Sequence, residues 1–272
     1  MDAADPADTR EPADTRDPAD PADTVELTLP EGADSVAWVR LNRPAHRNAV
    51  TDTLVRDLRR ALAHLRDHEG VHAVVLAGNG RAFCAGHDLK EPTPDGDPRA
   101  RLERLQEVTR MLRDLPQPII AAVHGYAIGA GAEFAIGCDL VVAAEDALFQ
   151  FPEAGLGLSV TGAASRLLPL LVGPLKAKEL LLFGHRIDAA HAGRLGLVNT
   201  VTSSDTLLAT AQQWAARIAA QPPSAQALAK RAVDAGVDGT LSASLELEVS
   251  HAMITEYSPA YEASARAFRG RQ

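Results

Sequence analysis

The stretch HGYAIGAGAEFAIGCD (124–139) decides how this chain of 272 residues folds, because it joins an apolar run ending in glycine to an apolar helix. Gly129, Ala130 and Gly131 stand at the junction and lead directly into the helix. The amides at a helix N-terminus carry the positive end of the helix dipole, so Ala130 is placed to donate a hydrogen bond to a negatively charged oxygen. The junction therefore predicts an oxyanion-binding backbone.

The same helix contains a carboxylate, Glu133, between apolar neighbours. Desolvation in such surroundings raises the pKa of a carboxyl group toward the range that general acid–base catalysis uses. Glu153 lies in a similar apolar setting in FQFPEAGLGL (149–158). Two such carboxylates indicate a proton-transfer pair. From the residues alone, a structural role for Glu133, paired with an arginine or capping a turn, stays open.

A third segment, RAFCAGHDLKE (81–91), begins like a strand and runs through Ala85-Gly86 to a predicted helix start at Asp88. The small residues let the backbone approach a ligand closely. The amide of His87 at the end of such a turn points outward and can bind a developing negative oxygen. An ordinary strand-to-helix turn is the alternative for this segment.

Along the rest of the chain up to residue 201, predicted strands and helices alternate. Continuous apolar runs at 72–78 and 119–125 are typical of strands buried on both faces, and residues 36–41 alternate like a strand. Helical spacing is found at 51–68, behind the capping candidate Thr51, and at 99–114, and residues 140–151 read as two short strands. This order predicts an α/β fold with parallel strands between residues 24 and 201.

The chain from 202 to 272 is predicted to be all helical, with helices at 204–220, 223–236, 240–256 and 259–269. These helices are rich in alanine and poor in aromatic residues. We therefore expect them to pack on the first domain or on a neighbouring subunit.

The first 23 residues repeat Pro, Ala, Asp and Thr, and they are predicted to be disordered because they cannot bury apolar surface. They hold eight acidic residues and two arginines, so they account for −6 of the net charge of −9. The nearly balanced remainder offers no cluster of basic residues for nucleic acid, which is excluded as the main ligand.

Two cysteines, Cys84 and Cys138, are too few for a disulfide framework and are predicted to be buried thiols. No signal peptide, membrane span or metal cluster is visible in the sequence. These features predict a cytoplasmic protein without a membrane partner and without a metal. Cys84 has no activating base at a recognisable spacing, which favours packing over a nucleophilic role.

Taken together, FCAGHDL (83–89), GYAIGAGAEFAIGCD (125–139) and FPEAGLGL (151–158) resemble the crotonase superfamily, also called the enoyl-CoA hydratase/isomerase family. LNRPAHRNAV (41–50) and GHRIDAAHAGRLGLVNTV (184–201) resemble the same family. The resemblance covers essentially the whole chain after the repeat. It implies a crotonase-like spiral of ββα units (24–201) followed by a helical trimerisation region (202–272), assembled as a homotrimer or a dimer of trimers.

The resemblance also implies an acyl-CoA thioester substrate and no separate cofactor, since coenzyme A is part of the substrate. The amides of His87 and Ala130 would hold the thioester oxygen, and Glu133 and Glu153 would move protons. Other residues carried over as substrate-binding or CoA-binding candidates are Arg43, Ala85, Gly86, Asp88, Leu89, Lys90, Gly129 and Thr161. Arg43 and Lys90 are the candidates for phosphate contact, and the terminal helix with Arg266, Phe268 and Arg269 is an alternative that reaches a neighbouring subunit's CoA.

Family members that hydrate enoyl thioesters carry both carboxylates, which favours a 2-enoyl-CoA hydratase here. The chain departs from the hydratase pattern after LGL, where SVTGAASRL (159–167) replaces a Pro-Gly-x-Gly-Gly loop. An isomerase or another crotonase-type lyase on an unusual acyl-CoA is therefore the nearest alternative. A trimeric scaffold without catalytic activity is the alternative from another class.

Overall fold

The computed structural model describes residues 23–31, 34–90 and 97–270. The strands are β1 (Val25–Thr28), β2 (Val36–Leu41), β3 (Ala73–Gly78), β4 (Ile119–Val123), β5 (Tyr126–Ile128), β6 (Leu140–Ala144), β7 (Leu148–Gln150), β8 (Ile187–Asp188) and β9 (Thr200–Thr202). The predicted disorder of residues 1–23 falls, except for Asp23, outside the described residues.

The helices alternate with these strands and then continue alone to the end of the described chain. They are α1 (Asp52–Arg66), α2 (Pro98–Asp114), α3 (Ala130–Gly137), α4 (Ala164–Val172), α5 (Pro174–Phe183), α6 (Ala189–Leu195), α7 (Leu207–Ala219), α8 (Pro223–Asp238), α9 (Leu241–Glu256) and α10 (Pro259–Arg269). Short 3-10 helices cover Pro44–His46 and Glu153–Leu156. The predicted α/β fold with parallel strands and a helical C-terminal region is confirmed.

The large sheet has the strand order β1-β2-β3-β4-β6-β9, and all of its pairs are parallel except β1 with β2. Its side chains alternate between two buried clusters: Val74 and Leu76 of β3 point into one, and Val75 points into the other. Burial on both faces explains why the central strands read as continuous apolar runs.

A second, smaller layer of strand segments accompanies the large sheet. It contains the sheet β5-β7-β8 and two isolated parallel bridges, Val50 with His87 and Cys84 with Ala127. Along the chain, β2, β3, β4 and β6 are each followed by a segment of this layer and then by a helix. The fold is therefore four turns of a strand–strand–helix spiral, which stacks the ends of successive turns beside one another.

Helix α7 covers the outer face of the large sheet, where Leu207, Ala211 and Ala215 are buried against β3, β4 and β6. The predicted domain boundary at residue 201 falls inside β9, which pairs with β6. The packed body thus extends through α7. For α7, this agrees with the expectation that the alanine-rich helices after residue 201 pack on the first domain or on a neighbouring subunit.

Helices α8, α9 and α10 contain no buried residue. They expose large apolar side chains, among them Val233, Leu241, Leu245, Val249, Met253, Ile254, Tyr257, Tyr261 and Phe268. None of the helices in the described part of the chain is long and apolar enough to cross a membrane. The three helices leave a broad apolar surface without a partner inside the monomer.

Asn48 ties the two layers together from a fully buried position. Its Nδ2 donates to the carbonyl oxygens of Asn79 (3.0 Å), Ala82 (2.8 Å) and Phe83 (3.1 Å), and its Oδ1 accepts from Arg43 N at 2.8 Å. Its φ of 56° lies in the left-handed region that asparagine tolerates better than most residues. The segment that carries His87 is therefore anchored to the end of β3 through one side chain.

Replacing Asn48 with alanine should lower the free energy of unfolding by about 3 kcal/mol, since several buried carbonyl groups lose their donor. The matched control is Asn199→Ala, which removes the one hydrogen bond that Val141 N donates to the Oδ1 of this exposed residue and should cost about 1 kcal/mol. Urea unfolding of both variants measures the difference. Equal losses would show that Asn48 does not have this anchoring role.

Candidate active site

The spiral brings the segment 84–88 against the end of β5. A Cβ atom on Gly86, which has a φ of 86°, would lie 2.6 Å from Ile128 O and 3.8 Å from Gly129 Cα. Only glycine permits this approach. The peptide units that follow, those of His87 and Ala130, are therefore neighbours although they come from different turns of the spiral.

The amides of His87 and Ala130 are both available to a ligand. Val50 N donates to Gly86 O at 2.8 Å and Asp88 N donates to Val50 O at 3.0 Å, and this pairing turns the His87 N–H away from Val50. Ala130 is the first residue of α3, so its N–H has no partner within the helix. Neither amide donates a hydrogen bond within the described part of the chain, so both can stabilise negative charge.

Glu133 lies one turn into α3 and is only 1% exposed. Both of its carboxylate oxygens accept a hydrogen bond from Thr161: Oε1 from the backbone N at 2.7 Å and Oε2 from Oγ1 at 2.6 Å. Burial raises the pKa of Glu133, and the two bonds from Thr161 counteract part of that rise. The predicted effect of the apolar surroundings on this pKa is confirmed.

Glu153 begins the 3-10 helix after β7 and is partly buried. Its Oε1 lies 2.8 Å from the place where a Cβ on Gly129 would stand, and its Oε2 is buried without a hydrogen-bond partner among the described residues. Burial raises the pKa of Glu153, its own backbone N–H lowers it, and the charge of Glu133 raises it further. The two predicted acids thus share one site, and the charge of Glu133 acts on Glu153.

Arg43 occupies a different place from the one predicted for it. It is 2% exposed, and its Nη1 donates to Ala49 O at 2.6 Å and to Asp88 Oδ2 at 3.1 Å. This burial argues against the predicted contact with a CoA phosphate. Arg43 and Asp88 instead brace the turn that carries the His87 amide. Partial burial acts to raise the pKa of Asp88, but the Lys90 backbone N–H and Arg43 together outweigh it, so this pKa is lowered.

The other predicted binding residues surround the His87 amide. Ala85 N donates to Arg47 O at 3.0 Å, which holds the turn in place. Leu89 is 74% exposed and Lys90 is exposed, so both are accessible to a ligand beside the site. Burial of the His87 imidazole and the nearby charge of Arg101 lower its pKa.

Two features of the site were not predicted from the sequence. Thr161 was a candidate for substrate contact, whereas the structure bonds it to Glu133. Gly162 was not singled out, yet a Cβ there would lie 2.6 Å from the Cβ of Glu133. The unusual sequence of loop 159–167 was the only indication of this contact, because Thr161 and Glu133 are 28 residues apart and no local pattern links them.

Cys84 lies fully buried beneath the site, as predicted. Its Sγ donates to Asn48 O at 3.1 Å, and burial raises the pKa of the thiol to about 12. A thiol with that pKa is protonated at neutral pH and is a poor nucleophile.

The chain matches the family model described as enoyl-CoA hydratase/isomerase over residues 31–270. It is 34% identical over 250 residues to the 1,2-epoxyphenylacetyl-CoA isomerase of Escherichia coli, covering 90% of this chain and 95% of that protein. These relationships extend over nearly the full length of both proteins.

Solved structures give the same result. The enoyl-CoA hydratase of Bacillus anthracis superposes with a TM-score of 0.87 at 30% identity, covering 92% of this chain and 97% of that one. The enoyl-CoA hydratase of Polaromonas sp. JS666 superposes with a TM-score of 0.85 at 32% identity, covering 91% and 97%.

Glu153→Gln should stabilise the protein at pH 8. The pKa of Glu153 is raised in the folded state above its ordinary value of 4.5, so the folded state binds this proton more tightly than the unfolded state. Ionisation therefore costs stability as the pH rises past the folded pKa. The gain from Glu153→Gln should shrink on acidification and vanish below the unfolded pKa.

Thermal unfolding of both proteins from pH 8 to pH 4 measures this difference. Glu145→Gln, the same change at an exposed glutamate, is the matched control. A gain that grows on acidification would contradict the raised pKa of Glu153.

Proposed function

The chain belongs to the enoyl-CoA hydratase/isomerase family, and on that premise we propose that it adds water across the C2–C3 double bond of a 2-enoyl-CoA. The observation that carries the proposal is the proximity of a buried carboxylate, Glu133, and a partly buried one, Glu153, to two unpaired backbone amides. Addition to a thioester-conjugated double bond needs these two kinds of group and no redox partner.

The amides of His87 and Ala130 bind the thioester oxygen. As water attacks C3, negative charge moves through C2 onto this oxygen, and donors that are already oriented stabilise the enolate without reorganising. Losing one donor from such a site typically costs about 3 kcal/mol of transition-state stabilisation. Because the donors are backbone groups, their placement depends on the close approach of Gly86 to Ile128 and Gly129.

The two acids divide the proton transfers. Glu133 in its ionised form accepts a proton from water while the water oxygen bonds to C3. Glu153 in its protonated form donates to C2 of the enolate, and the carbonyl double bond re-forms. The pair regains its starting state when the proton on Glu133 returns to Glu153 directly or through solvent. The unpaired Oε2 of Glu153 supports its role as the proton donor.

We also propose where the coenzyme lies. Leu89 and Lys90 are exposed two and three residues beyond His87, so the acyl-CoA runs past them with its phosphates near Lys90. Ala85, Gly86 and Gly129 form the backbone surface against which the thioester rests. Arg43 and Asp88 support this surface from beneath through their ion pair.

Isomerisation of an enoyl-CoA is the second candidate, and one observation favours it. Both oxygens of Glu133 already accept hydrogen bonds from Thr161, so Glu153 is the less constrained acid and can by itself carry a proton between carbons. The E. coli relative is named as an isomerase. In this reaction the amides still stabilise an enolate, but no water adds.

Glu133→Gln and Glu153→Gln distinguish the two reactions. If the chain is a hydratase, each change should lower kcat by about 10²- to 10⁴-fold, because each removes a proton-transfer group. The measurement is the loss of enoyl thioester absorbance with crotonyl-CoA and longer 2-enoyl-CoAs, with the mass of the product determined to detect added water.

If Glu133→Gln keeps nearly full turnover while Glu153→Gln abolishes it, the hypothesis of hydration by a carboxylate pair is wrong and the isomerase alternative is supported. Conversion of a 3-enoyl-CoA without a change in mass would establish the isomerase directly. CoA binding with no turnover of any acyl chain would indicate a scaffold.

We propose further that the exposed apolar surface of α8, α9 and α10 is covered by other copies of the chain, in a trimer or a dimer of trimers. Monomers rarely expose apolar patches of this extent, and such patches mark interaction sites. Leu245, Val249 and Met253 are between 54% and 62% exposed along a single helix.

Light scattering on the purified protein should give the mass of three or six chains. A double change in α9, Leu245→Glu with Met253→Glu, should shift the mass toward the monomer because it places charges in the apolar contact. Glu246→Lys with Glu248→Lys changes charge on the same helix and is the control. A monomeric wild-type protein would contradict the proposal.

A further inference from the structure

Thr161 holds Glu133 from two sides at once. Its backbone N–H reaches Oε1 at 2.7 Å and its hydroxyl reaches Oε2 at 2.6 Å. Two donors from one residue fix both the position and the plane of the carboxylate. They also favour its ionised form, since an ionised carboxylate accepts hydrogen bonds at both oxygens.

The loop is shaped to deliver these donors. Gly162 has a φ of 51° and Ala163 a φ of 59°, so the chain reverses immediately after Thr161 and α4 begins at residue 164. A Cβ on Gly162 would lie 2.9 Å from Glu133 Oε2 as well as 2.6 Å from its Cβ. The carboxylate of Glu133 is therefore enclosed by the loop on the side opposite its own helix.

Glu153 has no comparable support. No described residue donates a hydrogen bond to its Oε2, so the ionised form is poorly stabilised at that atom. A protonated carboxyl group needs fewer donors and can turn its own hydrogen toward a ligand. The two acids therefore differ in the number of donors they meet, although both are withdrawn from water.

Other titratable groups near Glu133 leave this difference intact. Cys84 lies close enough to sense its charge but is a neutral thiol. On the packed helices, Arg113 of α2 pairs with Asp234 and Arg166 of α4 pairs with Asp238. Glu153 is thus the acid with which Glu133 shares the site.

We propose that Thr161 is a positioning residue whose hydroxyl keeps Glu133 ionised, so that the proton shared by the two acids resides on Glu153 when the substrate binds. The kinetic consequences of this role rest on the proposed function, whereas its structural consequences rest on the two hydrogen bonds from Thr161 to Glu133. The hydroxyl determines which acid is the base and which is the donor. This role would explain why the loop 159–167 departs from the hydratase pattern.

The test compares Thr161→Val with Thr161→Ser. Valine keeps the backbone N–H and the shape of threonine but loses the hydroxyl bond, so Glu133 becomes easier to protonate. The acidic limb of the kcat/KM profile should move to higher pH, and kcat at neutral pH should fall about tenfold, as for one hydrogen bond to a charged group. Serine keeps the hydroxyl and should keep the limb where the wild type has it.

A second readout does not need activity. Carboxyl-carbon NMR of glutamate-labelled protein, with Glu133→Gln and Glu153→Gln to assign the two signals, should show Glu133 titrating below Glu153 in the wild type. In Thr161→Val the Glu133 signal should move to higher pH. Because this signal is measured without substrate, it tests the effect of Thr161 on Glu133 separately from the proposed reaction.

Three results would overturn the proposal. One is an acidic limb that stays in place in Thr161→Val, and another is a shift of the same size in Thr161→Ser, which would assign the effect to packing. The third is a wild-type NMR titration in which Glu133 takes up its proton before Glu153. Thermal unfolding of each variant verifies that it is folded under assay conditions.

Discussion

The site depends on a backbone contact at Gly86 that is too close for any side chain at that position. Gly86 rests on the carbonyl of Ile128, and this approach sets the distance between two turns of the spiral. Each turn then contributes one amide, and neither amide is used by the sheet or helix that carries it. The large sheet and its buried faces make this possible, because a rigid, doubly covered sheet fixes where each turn ends.

The loss of water around the two acids is compensated differently. For Glu133 the protein compensates the loss of water with the donors of Thr161, whereas the Oε2 of Glu153 meets no donor within the described chain. An uncompensated buried polar atom lowers stability. Such atoms are found where a reaction needs a group that is ready to exchange a proton. The proposed division of the proton transfers rests on this difference between two otherwise similar carboxylates.

Much of this arrangement could be predicted from the sequence. Runs such as 119–125 identify strands buried on both faces, and Gly129-Ala130 preceding Glu133 identifies a helix start beside a carboxylate. Such signals are local. The pairing of Thr161 with Glu133 and the burial of Arg43 against Asp88 depend on how distant segments meet, and no local pattern reveals them. Helix α7 is predicted from the sequence, but only the sheet opposite Ala211 and Ala215 shows that its small side chains are buried there rather than against a neighbouring subunit.

The contact between Thr161 and Glu133 has one permanent and one variable part. The bond to Oε1 comes from the peptide group, which every residue except proline would supply. The bond to Oε2 comes from a side chain and depends on which residue stands there. The length and turn geometry of the loop thus provide the backbone hydrogen bond to Glu133, while the identity of residue 161 adjusts the basicity of this carboxylate. Within this fold, one residue change at position 161 can therefore alter the acidity of Glu133 while the backbone stays the same.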